Sequence, residues 1–175
     1  MVGLMHQREA VFTVPTDPEV VWRFIRDFES LCACVPGVER LRRIDDTTAE
    51  MTVVEKIGVV PLRVDFTAHI DAEDPPHSLH AVAKAEHVDV EIDVRLRATG
   101  VGTELASQVQ VIGRGPLKPV VDRLFERRAT ERTAEFAQLL EARFGGAAKA
   151  EAPMRSPEGR LTRLWRGLLA WLGFK

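Results

Sequence analysis

Between residues 38 and 112 apolar side chains recur at every second position, whereas over 18–28 and 117–144 they recur at every third or fourth. The clearest run is 88–98. Val88, Val90, Ile92, Val94, Leu96 and Ala98 fall on one side, and Asp89, Glu91, Asp93, Arg95 and Arg97 on the other. Residues 62–70 alternate as strictly, with Leu62, Val64, Phe66, Ala68 and Ile70 against Arg63, Asp65, Thr67 and His69. Strands are also predicted over 38–44, 48–57, 78–86 and 103–112. In 48–57, Ala49, Met51, Val53 and Ile57 share a side. An earlier strand over 7–14 places Ala10, Phe12 and Val14 on one face. Asp74-Pro75-Pro76 and Gly100-Val101-Gly102 are turn sequences. Strands with one apolar and one polar face build an antiparallel sheet, buried on one side and wet on the other.

The helical period frames this sheet. Asp17 suits an N-cap and Pro18 a first helical position, with Glu19 at the positive end of the helix dipole. Val21, Trp22, Ile25 and Phe28 then mark a helix over 18–28. A short second helix is expected over 30–35, stopped by Pro36-Gly37. Gly113-Arg114-Gly115-Pro116 ends the strands, and 117–144 reads as one long helix of about 40 Å at ~1.5 Å per residue. Gly145-Gly146 closes it. Three units are predicted: a folded domain over 1–144, a linker of small and polar residues over 145–157, and a terminal helix over 158–175, opened by Ser156-Pro157-Glu158.

Charge separates these units. Of the 175 residues, 24 are Lys or Arg and 26 are Asp or Glu, a formal net charge of −2 that speaks against nucleic acid as partner. Residues 145–175 hold six cations and two carboxylates, and the remainder 18 and 24. A basic tail on an acidic domain points to an anionic partner. The N-terminus lacks the basic and apolar regions of a secretory signal, and no apolar run reaches the ~18 residues of a membrane span. Cys32 and Cys34 are too close for ordinary disulfide geometry, so free thiols, buried or half-buried, are expected, as suits a reducing cytoplasm.

The tail has a distinct face. On a helical wheel Leu161, Leu164, Trp165, Leu168, Leu169, Trp171 and Leu172 fall within about 160°, with Arg160 at the edge and Arg163 and Arg166 opposite. From Leu161 onward such a helix reaches about 21 Å, short of the ~30 Å hydrocarbon core. Tryptophan, leucine and arginine so arranged suit a helix lying in the membrane interface. Docking on the chain's own core is the alternative.

Strand, two short helices, six strands and a long helix is the order of the helix-grip fold, and the chain resembles the START/Bet v 1-like superfamily. Val21-Trp22-Arg23-Phe24-Ile25-Arg26-Asp27, followed by Leu31-Cys32-Ala33-Cys34-Val35-Pro36-Gly37, is similar to the signature of the CoxG family of carbon monoxide dehydrogenase subunits. Asp74-Pro75-Pro76 and Gly113-Arg114-Gly115-Pro116-Leu117 also sit where that family has turns. The resemblance implies an α+β fold in which a curved seven-stranded antiparallel sheet wraps the long helix and encloses an apolar cavity. It further implies a bound isoprenoid quinone such as menaquinone, a molybdenum-containing carbon monoxide dehydrogenase or related hydroxylase as partner, and a peripheral place on the inner face of the cell membrane. No covalent cofactor and no metal are expected.

On that reading Met51, Val53, Val64, Phe66, Ala83, Ile92, Val94, Leu105 and Val109 form one wall of the cavity, and Leu117, Val121, Leu124 and Phe125 the other. The small residues Ala81, Ala83, Ala85 and Ala98 leave room inside it. Three polar residues fall in inward register: Glu55, Ser107 and Arg128. A charge facing an apolar pocket needs a partner. These three either pair near the mouth or anchor the polar end of an apolar ligand. The five histidines are scattered and expected at the surface, and no nucleophile–base motif or phosphate-binding glycine loop is visible. A non-catalytic carrier is therefore expected. A ligand-free membrane tether for the enzyme and a polyketide-cyclase-like enzyme of the same superfamily are the alternatives.

Overall fold

A computed structural model describes residues 6–145 and 150–151. The predicted terminal helix, and the linker apart from Gly145 and Ala150–Glu151, lie outside the described residues.

The elements follow the predicted order. They are β1 (His6–Val14), α1 (Pro18–Arg26), α2 (Phe28–Cys32), β2 (Val38–Arg43), β3 (Thr48–Ile57), β4 (Val60–Asp74), β5 (Ser78–Lys84), β6 (Val88–Thr99), β7 (Gly102–Gly113), a 3-10 turn (Gly115–Leu117) and α3 (Lys118–Phe144). Two residues of the predicted linker, Ala150–Glu151, add a short β8 beside β1. The sheet runs β2-β3-β4-β5-β6-β7-β1-β8, and each of its neighbouring pairs is antiparallel. Bulges between Val38 and Arg40 and between Ile70 and Ala72 bend it.

Two boundaries differ from the predicted ones for one reason. The helices expected over 18–28 and 30–35 end and begin on either side of Asp27. Its carboxylate accepts the backbone N–H of Ser30 at 3.0 Å, so Asp27 caps α2 and stops α1. The same bonds hold its carboxyl below the usual carboxylate range. Asp17 occupies the cap position of α1 with its side chain unbonded there, and its carbonyl accepts Val20 N and Val21 N at 3.0 and 3.2 Å. Strand β4 extends to both sides of the predicted 62–70.

Residues paired across antiparallel strands share a face. One inward row therefore crosses six strands as His6, Val111, Val90, Ala83, Ala68 and Ala49. Nearer α1 another runs Phe12, Leu105, Leu96. At this end Phe12 packs edge-on against Phe136 of α3, and Phe24 of α1 against Phe144, with centroids 5.3 and 5.2 Å apart. Leu140, Val14, Val21 and Phe12 are sealed between them. The main core is thus built where α1, α2 and the last turns of α3 close over the sheet.

Helix α3 leans chiefly on β1 and β7, to one side of the sheet. Gly113 permits this approach at the start of α3, since a Cβ there would lie 2.8 Å from Val121 Cβ. Further along, His6 Nε2 meets Asp122 Oδ1 at 2.8 Å, and Arg8 Nε donates to Thr133 Oγ1 at 2.9 Å. No described helix is long and apolar enough to cross a membrane.

Candidate functional site

With α3 drawn toward β1 and β7, the opposite side of the sheet stays open toward the β3–β4 hairpin. A cleft of about 380 Å³ lies there, within the size range of ligand pockets. Its walls are Lys56, Ile57 and Gly58 from the hairpin, and Pro119, Val120, Arg123, Leu124, Arg127, Arg128 and Glu131 from α3. The neighbouring sheet face holds a small cluster centred on buried Phe66, Val88 and Val121. Around it Met51, Val53, Val64, Ala83, Ala85, Val90, Val111 and Leu117 are only half-buried although they face inward. Large apolar side chains in inward register would be sealed if the helix covered them. Here they keep contact with solvent.

Of the cavity residues expected from sequence, Met51, Val53, Val64, Ala83, Ile92, Val109 and Leu117 lie half-buried on the inner faces. Leu124 lines the cleft. Phe125 is turned against the His6 ring, with centroids 5.3 Å apart. Phe66, Val94, Leu105 and Val121 are buried. Leu105, 2% exposed, is paired with Phe12 and Leu96 in the packed end. Ala81 and Ala85 are half-buried, but Ala98 is exposed at the far end of β6 and leaves no room inside, correcting the expectation for that residue. The tail residues Arg160, Leu161, Arg163, Leu164, Trp165, Arg166, Leu168, Leu169, Trp171 and Leu172 lie outside the described residues.

The three inward polar residues are placed as follows. Glu55, opposite Leu62 in the inward register, bridges from β3 to α3. Its carboxylate forms an ion pair with Arg132 and lies 3.7 Å from Arg128 Nε. Arg128 also donates to Glu131 at 3.0 Å. Arg132 likewise donates to Glu135 at 3.3 Å, so each guanidinium is shared between Glu55 and a carboxylate three residues further along α3. The Ser107 hydroxyl donates to the carbonyl of Ala10 at 3.4 Å. The turn after α2 supports the clasp. Gly37 sits at φ +89°, its carbonyl accepts Val54 N at 2.8 Å, and a Cβ on it would lie 2.7 Å from Val54 O.

Two polar residues went unread. His6, expected at the surface, is 8% exposed, an inward member of the row through Val111. Its partner Asp122 also accepts Lys118 Nζ at 2.7 Å, and these two bonds lower the Asp122 carboxyl below its usual value. Arg8 likewise points inward, and burial lowers its guanidinium pKa. The signal was the alternation itself: Ala10, Phe12 and Val14 continue backward by twos to Arg8 and His6. Cys32 and Cys34 are both free and buried. Burial, with the charge of Asp27, pushes the Cys32 thiol up to about 11.

A curved antiparallel sheet facing a long C-terminal helix, with a cleft at one end, is the helix-grip fold, the fold of START/Bet v 1-like proteins. The family model for CoxG, a carbon monoxide dehydrogenase subunit, matches residues 11–145, and the chain belongs to that family. The structure is similar to that of a conserved protein from Geobacillus kaustophilus, with a TM-score of 0.67 and 16% identity over 84% of this chain and 100% of that one. It is similar as well to a START superfamily protein from Mycobacterium smegmatis, with a TM-score of 0.58 and 19% identity over 80% and 96% of the two chains. A third similar structure is the di-domain ARO/CYC StfQ from the steffimycin biosynthetic pathway, with a TM-score of 0.58 and 10% identity over 79% of this chain and 50% of that one. These likenesses concern the fold. No curated protein matches the chain in sequence.

Proposed function

We propose that the protein is a non-catalytic carrier of a lipophilic molecule, an isoprenoid quinone of the menaquinone type. It moves this ligand between the inner face of the cell membrane and a molybdenum enzyme of the carbon monoxide dehydrogenase class. The observation that carries this reading is the half-buried apolar face beside Phe66, Val88 and Val121; a separate cleft between the β3–β4 hairpin and α3 has guanidiniums on its wall. The apolar body of a quinone gains from covering that face, and its ring carbonyls accept hydrogen bonds from a donor such as Arg128. Membership of the CoxG family supports the enzyme partner. The amphipathic, basic pattern of 158–175 supports reversible attachment to an anionic leaflet. The polar residues read from the sequence as candidate chemistry are already engaged, Glu55 in ion pairs and Ser107 with a carbonyl, which supports binding rather than catalysis.

The test compares full-length protein with a chain ending at residue 157. Electron transfer from the reduced dehydrogenase to a long-chain quinone in anionic liposomes is expected to accelerate with the full chain and not with the truncated one. Both forms are expected to serve a water-soluble quinone analogue. Equal rates for the two forms on the long-chain quinone would show that tail-dependent delivery is the wrong mechanism. If the protein binds neither quinone, the ligand is wrong and tethering takes its place.

A further inference from the structure

The β3–β4 hairpin is exposed where it should be least comfortable in water. Ile57, Val59 and Val60 are 37%, 99% and 63% exposed, and they stand together at its tip. Gly58, at φ +64°, makes the tight turn that thrusts Val59 outward. Behind the tip, the cleft wall carries Lys56, Arg123, Arg127 and Arg128; two carboxylates, Glu131 and the adjoining Glu55, both lie against Arg128. Apolar residues at a protruding tip with cations directly behind match the layering of an anionic leaflet, where headgroup charge overlies hydrocarbon.

The direction of β8 agrees. It runs antiparallel to β1, with Ala150 opposite Phe12 and Glu151 opposite Val11. From Ala150 to Glu151 the strand therefore runs toward the His6 end of β1. Through the β1–β7, β6–β7, β5–β6 and β4–β5 pairings, the His6 end is also the end from which the hairpin projects. Five residue steps along β1 lead from Val11 to His6, about 17 Å at ~3.4 Å each. At Glu151 the strand thus points toward the end of the domain that holds the hairpin and the cleft.

We propose that the hairpin tip Ile57–Val60 and the cations behind it form a second membrane-contact surface, specific for an anionic leaflet, that holds the mouth of the cleft against the bilayer. This deepens the proposed function, on which it rests, by fixing orientation: an attachment at the tail alone leaves the domain free to turn, and a second contact at the mouth does not. The chain's own tail is a poor occupant, since residues 145–175 carry six cations against two carboxylates and are repelled by the same rim. A second copy of this basic surface is disfavoured for the same reason.

The test uses full-length protein carrying Val59→Asp and Val60→Asp. Both positions face solvent and neither lines the cleft, so an unchanged melting curve is expected. Vesicles of phosphatidylcholine, with and without phosphatidylglycerol, are used empty for flotation and loaded with a long-chain quinone for transfer. Partitioning onto phosphatidylglycerol vesicles and quinone transfer from them are each expected to fall about tenfold. Affinity for a water-soluble quinone analogue is expected to stay the same. Val59→Leu with Val60→Leu is expected to retain full flotation. Flotation equal to that of the unaltered protein overturns the proposal. So does normal flotation with lost binding to the dehydrogenase, which would assign the tip to a protein partner. Weakened flotation in a protein that binds no quinone would uphold the contact while refuting the carrier reading.

Discussion

The two ends of the sheet start from the same alternating strands and finish in opposite states. At the α1 end, Phe12, Leu105 and Leu140 are sealed at 2% exposure or less, and aromatic pairs join sheet, α1 and α3. At the hairpin end, side chains of the same type, such as Val53, Val64 and Val90, face inward half-buried beside a cleft. Composition does not separate them. The difference is what lies above: α1, α2 and the last turns of α3 cap one end, whereas α3 alone overlies the other and is drawn toward β1 and β7. A half-covered apolar face is a poor way to gain stability and a good way to keep room for a ligand.

The comparison can be tested from its strongest consequence downward. Leu140→Ala is expected to cost about 2–5 kcal/mol, because it opens a void in the sealed end; denaturant unfolding measures this, and a loss under ~1 kcal/mol would mean the end is not tightly packed. Cys32 sits in the same end. With its thiol raised to about 11, labelling by a disulfide reagent at pH 8 is expected to run about a hundredfold slower than for a free thiol. A folded-state pKa above the unfolded one contributes stability that is complete below the ordinary thiol pKa of about 9. That contribution is lost as pH rises toward 11, so the melting temperature is expected to fall across that window and to fall less in Cys32→Ala.

Ala68 and Ala83 are paired neighbours on β4 and β5, one buried and one half-buried. Ala68→Trp is expected to cost about 1–3 kcal/mol. Glu55→Gln leaves two guanidiniums facing each other; since the groups are partly exposed, the loss is expected near ~1 kcal/mol and to shrink with added salt. Ala83→Trp is expected to cost less than about 1 kcal/mol while abolishing binding of a soluble quinone analogue. Equal costs at positions 68 and 83 would mean that Ala83 is enclosed as tightly as its buried neighbour and that no room lies above it.

Periodicity made the seven strands and α3 legible, since one buried face imposes a period of two and a helix a period of 3.6. It also placed Glu55 and Arg128 inward and near each other. Other features had no local signature. The bulge between Ile70 and Ala72 breaks the alternation, hiding the second half of β4. Phe28 continues the apolar stripe of α1, so the pattern ran through the cap at Asp27. His6 and Arg8 follow the inward register, but their partners Asp122 and Thr133 lie 116 and 125 residues away, and only the assembled fold joins them. Which inward residues are sealed and which border the cleft depends on how α3 leans, a tertiary choice that no single strand encodes.

A sheet that keeps part of its inner face uncovered has a further hazard, which the edge strand β2 answers. Val38–Arg43 reads Val-Glu-Arg-Leu-Arg-Arg; Glu39, Arg40, Arg42 and Arg43 are all exposed, and the bulge after Val38 spoils its register. A free edge of this kind is a template on which another chain lays down a strand, and charged side chains tied into local ion pairs, Arg42 with Glu50 and Glu39 with Arg63, together with an irregular backbone oppose that addition. An open inner face and a guarded edge thus belong together: the one leaves apolar surface in reach of a neighbour, and the other denies that neighbour the strand pairing that would make the contact permanent.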